Sequence, residues 1–146
     1  MQIAPPHPDE ARRLEALRAL EILDSPAEAA FDAIVAAAAA GCGTEIALIS
    51  LVDEHRQWFK AAIGLGEVHE TPRDHALCAH AILEDGMLEV PDASRDERFA
   101  DNPLVTGFPR IRLYAGVPLR LSGGEAVGTL CVIDRTPRRL EARQRD

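Results

Sequence analysis

The stretch Ile111-Arg-Leu-Tyr-Ala-Gly-Val-Pro-Leu-Arg-Leu121, with the turn Ser122-Gly-Gly-Glu125 and the run Ala126-Val-Gly-Thr-Leu-Cys-Val-Ile133, decides the fold. Two largely apolar runs flank a short turn that contains two glycines. This arrangement predicts two strands joined as an antiparallel hairpin.

A second hairpin is predicted nearer the N-terminus. Ile46–Val52 is a short apolar run bounded by glycine and by acidic residues, which is typical of a mostly buried strand. Gln57–Ile63 follows across a short polar turn and is expected to pair with it. Met87–Val90, ended by Pro91, is a further strand candidate. Two separate hairpins predict a mostly antiparallel sheet.

Helices are predicted between and around these strands. Asp9 is expected to cap a helix over Glu10–Leu23, and Ser25-Pro-Ala-Glu28 has the pattern of a capping box that opens a helix to about Ala40. Further helices are predicted over His75–Glu84 and from Thr136 into the C-terminus. The order of elements indicates an α+β layered sandwich.

Composition excludes several classes of function. The chain of 146 residues fits one domain, and 24 acidic against 16 basic residues give a net charge of −8, which disfavours nucleic acid as a partner. The sequence has neither a signal-peptide pattern nor an apolar run long enough to span a bilayer, so we expect a cytoplasmic domain without direct membrane contact. Three widely spaced cysteines without a Cys-x-x-Cys pair argue against a disulfide framework and a zinc site.

Motifs along nearly the whole chain carry a family resemblance. Nine segments, in the expected order, together resemble the GAF domain, in the subgroup found as the N-terminal sensor of bacterial histidine kinases and diguanylate cyclases. They are Leu23-Asp-Ser-Pro26, Ala30-Phe-Asp-Ala-Ile34, Ile49-Ser-Leu-Val-Asp53, Gln57-Trp-Phe-Lys60, Glu70-Thr-Pro-Arg-Asp74, Cys78-Ala-His-Ala-Ile82, Arg98-Phe-Ala-Asp-Asn-Pro-Leu-Val105, Tyr114-Ala-Gly-Val-Pro-Leu119 and Gly128-Thr-Leu-Cys-Val-Ile-Asp134.

The resemblance implies a fold and a role. The family's fold is a central antiparallel sheet of about six strands flanked by helices, with a small-molecule pocket against one sheet face. It also implies a homodimer through the terminal helices, which relay a signal to an output domain. We therefore divide the chain into an N-terminal extension (1–8), a GAF sensory domain with its N-terminal helix (9–136) and the start of a C-terminal relay helix (137–146).

Candidate ligand-binding residues follow from strand alternation and side-chain chemistry. Alternation is expected to place Arg112 and Tyr114 on one face, where a guanidinium and a phenol can meet an anionic or polar ligand. The alternatives without a ligand are that Arg112 forms a surface ion pair and that Tyr114 is a half-buried ring. Trp58 is a further candidate ligand-binding residue, and its alternative role is core packing. Asp92 is the next candidate, and its alternative role is to stabilise a turn through its side chain.

Cys78 and His80 complete the candidate set. They are two residues apart on a predicted helix and so do not form an i, i+4 metal pair, and no metal site is expected. A cysteine near a histidine resembles the bilin attachment site of GAF photoreceptors. However, Ala79 separates the two, and the chain has few aromatic residues to pack a tetrapyrrole. No cofactor is expected, although an unidentified small ligand fits the family.

The sequence is compatible with two alternative functions. One is a thiol enzyme similar to the free methionine sulfoxide reductases, which are also GAF proteins. The interpretation that opposes it is that all three cysteines are small buried apolar residues without a catalytic role. The other is a dimerisation module with a vestigial pocket. The Asn-Lys, Phe and Asp-Glu signature of cyclic-nucleotide-binding GAF domains is not found. We expect no catalytic residues and a non-catalytic sensory domain.

Overall fold

The computed structural model describes residues 1–145 and is built on one six-stranded antiparallel sheet. The strands are β1 (Ile46–Val52), β2 (Arg56–Ile63), β3 (Glu70–Pro72), β4 (Leu88–Val90), β5 (Leu113–Arg120) and β6 (Ala126–Asp134). Their order is β3-β2-β1-β6-β5-β4. Both predicted hairpins, β1–β2 and β5–β6, are present, and β1 pairs with β6 at the centre of the sheet. The predicted α+β sandwich with about six strands is confirmed.

Two helices cover one face of the sheet. They are α1 (Glu10–Ala19) and α2 (Ala29–Cys42). Val35 of α2 packs with Ile49 of β1, and Leu17 of α1 packs with Leu51 and Trp58. Ile49 and Leu51 are two positions apart on β1, so their side chains point to the same face of the sheet, the face that α1 and α2 cover.

The opposite face is covered by shorter elements. They are a 3₁₀ turn (Arg73–His75), α3 (Leu77–Ala81), a second 3₁₀ turn (Ala93–Arg95) and α4 (Pro103–Thr106). Their apolar side chains join the larger of the two main core clusters, which includes Leu77, Phe99 and Val105 together with Leu48 of β1. Functional features are expected here because short irregular segments, unlike long helices, leave gaps against a sheet.

The predicted start of the second helix is wrong. The Ser25–Glu28 capping box does not form, and α2 begins only at Ala29. The segment is instead bound by the buried ammonium of Lys60. This ammonium donates to Ser25 Oγ at 2.7 Å and to the Pro26 carbonyl at 2.6 Å, and it forms an ion pair with Glu28. A buried ammonium needs such partners more strongly than a helix end needs a cap.

Three further helix boundaries differ from prediction. The first helix ends at Ala19 and not at Leu23, since Glu21 adopts a positive φ of 52°. The helix predicted over His75–Glu84 is reduced to α3, and Glu70–Pro72 before it forms β3. At the C-terminus the structure places a single-turn helix, α5 (Ala142–Arg145), instead of a helix from Thr136, and Asp146 lies outside the described residues. Within residues 1–145, no helix has the length and apolarity needed to cross a membrane.

Candidate functional site

A cavity of ≈140 Å³ lies between the sheet and the α3–α4 layer, and we call it the α3 cavity. Its walls are mainly apolar, with Leu48, Phe59 and Ile133 from the sheet and Leu77 from α3. Its cover is formed by the α4 segment, including Leu104 and Phe108. The Phe108 side chain is 56% exposed although it is a large apolar group. The cavity is therefore a partly open, apolar site with a thin cover.

The cover is held in place by one buried amide, that of Asn102. Its Oδ1 accepts the Leu104 N–H at 2.9 Å, which caps α4, and its Nδ2 donates to the His75 carbonyl at 3.0 Å. Asn102 is only 2% exposed. A single side chain thus ties the cover to the turn that precedes α3.

The floor of the α3 cavity carries a cluster of hydroxyl and thiol groups. The Tyr114 hydroxyl donates to Cys78 Sγ at 3.1 Å, and Thr129 Oγ1 donates to the same sulfur at 3.0 Å. Cys131 Sγ lies 4.0 Å from Cys78 Sγ. Gly116 makes this arrangement possible, because a Cβ there would lie 2.4 Å from the Tyr114 hydroxyl. The Tyr114 side chain lies directly over Gly116, two residues along the same strand, and a side chain at position 116 would occupy its place.

These contacts change the acidity of the cluster. The pKa of the Cys78 thiol is lowered to about 6 because Cys131 donates a hydrogen bond to its sulfur, with further donation from Thr129 and Tyr114, and together these outweigh burial. The pKa of Cys131 is raised well above its ordinary value by the same contact with Cys78 and by burial. The pKa of Tyr114 is also raised, first by burial and then by the neighbouring sulfurs. Cys78 is therefore the group of this cluster that ionises first.

A second polar group lies at the β2–β3 side of the cavity. Gln57 Nε2 donates to Thr71 Oγ1 at 2.6 Å, and Ser50 Oγ donates to Gln57 Oε1 at 3.0 Å. Gln57 and Thr71 both line the cavity. Among the described residues, every buried side-chain nitrogen and oxygen has a hydrogen-bond partner. A ligand therefore does not have to satisfy an unpaired buried group.

An ion cluster, formed by Glu10, Arg13 and Arg73, connects this side of the cavity to α1. Arg73 follows β3 directly, and its guanidinium donates to Glu10 Oε1 at 3.0 Å. Glu10 also accepts from Arg13, which is fully buried and donates to the Val52 carbonyl at 2.6 Å. Burial alone would raise the pKa of Glu10, but the hydrogen bonds from Arg73 and Arg13 lower it to about 2. The Glu10 ion cluster thus fixes α1 to the segment that carries Thr71.

The structure brings two of the predicted site residues together and separates the others from them. Tyr114 and Cys78 both line the α3 cavity. Trp58 lies on the opposite face of the sheet with Leu17, while its neighbour Phe59 faces the cavity. Arg112 lies before β5, and its guanidinium donates to the backbone carbonyls of Val105 and Ile111, so it braces the cover segment.

His80 and Asp92 also have local partners. The His80 Nε2 lies 3.1 Å from the Gln2 carbonyl, and its ring packs edge-on to Phe99 with centroids 4.9 Å apart. Burial lowers its pKa. Asp92 accepts from the backbone N–H and the hydroxyl of Ser94 and so caps a 3₁₀ turn. His80 therefore connects α3 to the N-terminal segment, and Asp92 shapes a loop.

Sequence reasoning did not identify Gln57, Thr71, Thr129 and Cys131 as parts of the site. A signal was available for two of them, since Thr129 and Cys131 alternate with Ile133 and so share the face of Tyr114 once β5 and β6 are paired. Gln57 is a polar residue in an otherwise buried strand, which is a further signal. Within residues 1–145, no group of three His, Cys, Asp or Glu side chains is placed to hold a metal ion.

Comparison with known proteins agrees with this architecture. The sequence matches the GAF domain family over residues 26–146, and the chain belongs to that family. It is 51% identical over 135 residues to the cyclic di-GMP phosphodiesterase PA2567 of Pseudomonas aeruginosa. That alignment covers 92% of this chain and 23% of the relative, so the chain spans about a quarter of the relative's length.

Solved structures share the fold at low identity. The GAF domain of an Acinetobacter phosphoenolpyruvate-protein phosphotransferase superposes with a TM-score of 0.63 at 22% identity, over 91% of this chain and 83% of that one. The free methionine-R-sulfoxide reductase of Neisseria meningitidis also superposes with a TM-score of 0.63, at 16% identity, over 91% of this chain and 77% of that one. At these identities the likeness concerns the fold alone.

Proposed function

We propose that this chain is the regulatory sensory domain of a cytoplasmic bacterial signalling protein, and that it binds a small, mainly apolar ligand in the α3 cavity without catalysing a reaction. The observation that carries the proposal is the α3 cavity itself, an apolar space with a polar floor. Its cover is tied to the turn before α3, and Arg73 of that turn is bound to Glu10 of the N-terminal helix. An output concerned with cyclic di-GMP is supported by the relative PA2567. The histidine kinase and diguanylate cyclase outputs that the sequence motifs favour are alternatives within the same signalling class.

The size of the cavity limits the ligand. Sites for drug-sized molecules are usually about 300–1,000 Å³, whereas an apolar cavity of about 150 Å³ accommodates benzene. At ≈140 Å³ the α3 cavity matches a ligand of benzene size. Cyclic di-GMP and other nucleotides are too large for this conformation, so we assign cyclic di-GMP to the output and not to the cavity.

Ligand binding can reach the N-terminal part of the chain by two routes, of which the first leads to α1 and the second to the segment before it. Along the first, Thr71 at the cavity continues through Arg73 into the Glu10 ion cluster and α1. Along the second, α3 presents Cys78 to the cavity and His80 to the backbone of Gln2. Both routes consist of direct contacts, which is the physical requirement for a change at one site to be felt at another.

A non-catalytic role is favoured over the thiol-enzyme alternative. Sulfoxide reduction by a thiol needs a substrate pocket with groups that hold a charged amino acid, and the α3 cavity has mainly apolar walls. The likeness to the Neisseria reductase concerns the fold alone. A coupled assay with free methionine sulfoxide and a thiol reductant distinguishes the two: we expect no turnover, and turnover that is lost in Cys78→Ser would establish the enzyme.

A dimerisation role is a second candidate, favoured by the outer surface of α2. Asp32 is the only charged residue of this helix, and Ile34 is 45% exposed. Exposed neighbours of Ile34 are small and apolar, namely Ala29, Ala30, Ala33, Ala36 and Ala37. We propose that this surface, with the terminal helices, forms a homodimer. Dimerisation and ligand binding are compatible because α2 and the α3 cavity lie on opposite faces of the sheet.

The ligand-binding proposal is tested by nuclear magnetic resonance titration of the purified chain with benzene and with phenol as probes. We expect saturable shifts centred on the residues that line the α3 cavity. Leu104→Trp, which places a large side chain in the cover, is expected to abolish them. Met87→Trp, a partly buried position packed on the opposite face, is the matched control. Shifts that remain in Leu104→Trp, or that follow Met87→Trp instead, would contradict the proposal.

A further inference from the structure

Two cysteines from distant parts of the sequence meet beneath the α3 cavity. Cys78 of α3 and Cys131 of β6 are separated by 53 residues, yet their sulfurs lie 4.0 Å apart. Both are reduced and almost completely buried. The third cysteine, Cys42, belongs to the core cluster on the other face of the sheet.

The surroundings of Cys78 favour its thiolate. Tyr114 and Thr129 both donate hydrogen bonds to its sulfur, and hydroxyl donors stabilise a sulfur anion more than a neutral thiol. The lowered pKa of Cys78 and the raised pKa of Cys131 agree with this geometry. The pair thus contains one nucleophilic sulfur and one protonated neighbour.

The two sulfurs differ in their access to reagents. Cys78 lines the α3 cavity, whose cover is thin and partly exposed at Phe108. Cys131 does not line that cavity, although it borders a second space on the α2 side that Cys42 also borders. A small molecule that enters the α3 cavity therefore meets the Cys78 sulfur first.

We propose that Cys78 and Cys131 form a redox-active dithiol that a small hydroperoxide, entering the α3 cavity, oxidises to a disulfide. The Cys78 thiolate attacks the outer oxygen of the hydroperoxide and breaks the O–O bond, which gives Cys78 sulfenic acid and an alcohol, or water from hydrogen peroxide; the leaving oxygen takes up a proton. The Cys131 sulfur then attacks the sulfenic sulfur and expels hydroxide, which takes the Cys131 proton and leaves as water. Two thiols are oxidised and one peroxide is reduced.

Formation of the disulfide requires the two sulfurs to approach each other from 4.0 Å to about 2.05 Å, by side-chain rotation and a shift of α3 toward β6. The disulfide would join α3 to the centre of the sheet and remove the sulfur anion to which Tyr114 and Thr129 donate. The oxidation goes beyond the proposed ligand binding and does not depend on it, since it needs access of a peroxide and not a stable complex.

The test is a peptide map of the folded wild-type chain after treatment with hydrogen peroxide and then alkylation of the remaining thiols. Trypsin places the three cysteines in separate peptides, 19–56, 74–95 and 121–135. We expect peptides 74–95 and 121–135 to be joined, with a loss of two hydrogens, while Cys42 stays alkylated. Absence of the joined pair in the folded chain, or a disulfide that involves Cys42, would overturn the proposal.

Variants locate the order of the two steps. Cys131→Ser is expected to stop at the sulfenic acid, which dimedone traps on peptide 74–95, and Cys78→Ser is expected to leave Cys131 unmodified. Cys42→Ser is the matched control and should give the same disulfide as the wild type. Dimedone labelling of Cys131 in Cys78→Ser to the extent seen for Cys78 would overturn the assigned roles. The wild-type map decides the proposal even if a serine variant folds poorly.

Discussion

At the scale of single residues, the candidate site depends on a few polar side chains placed in an apolar layer. Tyr114 is fully buried, so its hydroxyl must find a partner, and it finds Cys78 Sγ. Gly116 leaves the space that the phenol occupies. The acidity of Cys78 thus depends on a glycine two residues along the strand from the tyrosine.

Tyr114→Phe tests this dependence. Removal of the hydroxyl deletes one hydrogen bond to the Cys78 sulfur, so the pKa of the Cys78 thiol should rise from about 6 by on the order of one unit. Ultraviolet absorbance of the thiolate, followed against pH, measures the shift. Tyr114→Phe in a Cys78→Ser background is the control, and it should lose the transition altogether. An unchanged transition in Tyr114→Phe would show that the hydroxyl does not stabilise the thiolate.

Glu10→Gln tests the Glu10 ion cluster through acid stability. The folded pKa of Glu10 is about 2, below its ordinary value of 4.5, so its contribution to stability is fully present above the ordinary value and is lost as pH falls toward 2. Without solvent screening the shift would correspond to about 3 kcal/mol, and because the Glu10 side chain is 22% exposed we expect about 1 to 2 kcal/mol. We expect Glu10→Gln to lose about that much at neutral pH and to flatten the fall in unfolding free energy between about pH 5 and about pH 2.

Glu15→Gln provides the matched control, since Glu15 lies exposed on the same helix. It should behave as the wild type in chemical denaturation at each pH. Wild-type pH dependence in Glu10→Gln would mean that the carboxylate is not coupled to Arg13 and Arg73 in solution.

Residue-scale prediction from sequence succeeds where one strand decides the outcome. Tyr114 could be assigned to a sheet face from its alternation with Leu113 and Ala115, and Phe59 and Trp58 could be assigned to opposite faces. The meeting of Cys78 with Cys131 could not be predicted, because 53 residues and the packing of α3 on β6 separate them. Arg112 was interpreted as part of β5, but the strand begins one residue later.

At the scale of elements, the short segments over the α3 cavity depend on side-chain caps. Isolated helices of four or five residues are not stable by themselves, so α3 and α4 persist through packing and through groups such as Asn102. Asn102, directly before Pro103, has a side chain typical of helix caps, and in the structure it caps α4. Its second bond, to the His75 carbonyl, spans 27 residues and has no local signal.

Asn102→Ala is expected to lower the unfolding free energy by about 2 kcal/mol, since it removes a helix cap and leaves the His75 carbonyl without its partner. Chemical denaturation measures the change. Asn102→Ser retains an acceptor that can cap α4 but loses the donor to His75, and it should lose roughly half as much. A loss below about 0.5 kcal/mol in Asn102→Ala, the range of ordinary surface changes, would refute the assigned role.

Element boundaries were predicted poorly wherever a distant group competed with a local signal. The Ser25–Glu28 sequence has the pattern of a capping box, but in the structure the side chains of Ser25 and Glu28 bind the Lys60 ammonium of β2 instead. β3 is three residues long and exists through pairing with β2, so propensity does not indicate it. The long apolar strands, by contrast, were predicted nearly residue by residue.

At the scale of the whole molecule, the sheet separates two surfaces with different proposed roles. α1 and α2 cover one face, and the α3 cavity lies on the other. The Glu10 ion cluster connects the two at the end of β1. A signal from the cavity can therefore reach the helices where a second copy of the chain would dock.

Ile34→Glu tests the proposed dimer. A carboxylate at the centre of the apolar α2 surface should weaken association about tenfold or more, because burial of an unpaired charge costs well over 1.4 kcal/mol. Light scattering over a concentration series measures it. Glu97→Lys, a charge change at an exposed position of the loop before α4, on the other face of the sheet, is the control and should associate as the wild type does. Equal dimerisation of Ile34→Glu and the wild type would place the interface elsewhere.

Occupation of the α3 cavity is proposed to change the N-terminal helix. Hydrogen exchange of the wild-type chain with and without saturating phenol, compared with Arg73→Gln, tests it most directly. We expect phenol to change the exchange of residues 70–81 and of α1 in the wild type, and to change only the former in Arg73→Gln, where the Glu10 ion cluster is broken. A cavity response without any change in α1 of the wild type would contradict a sensory role through this helix.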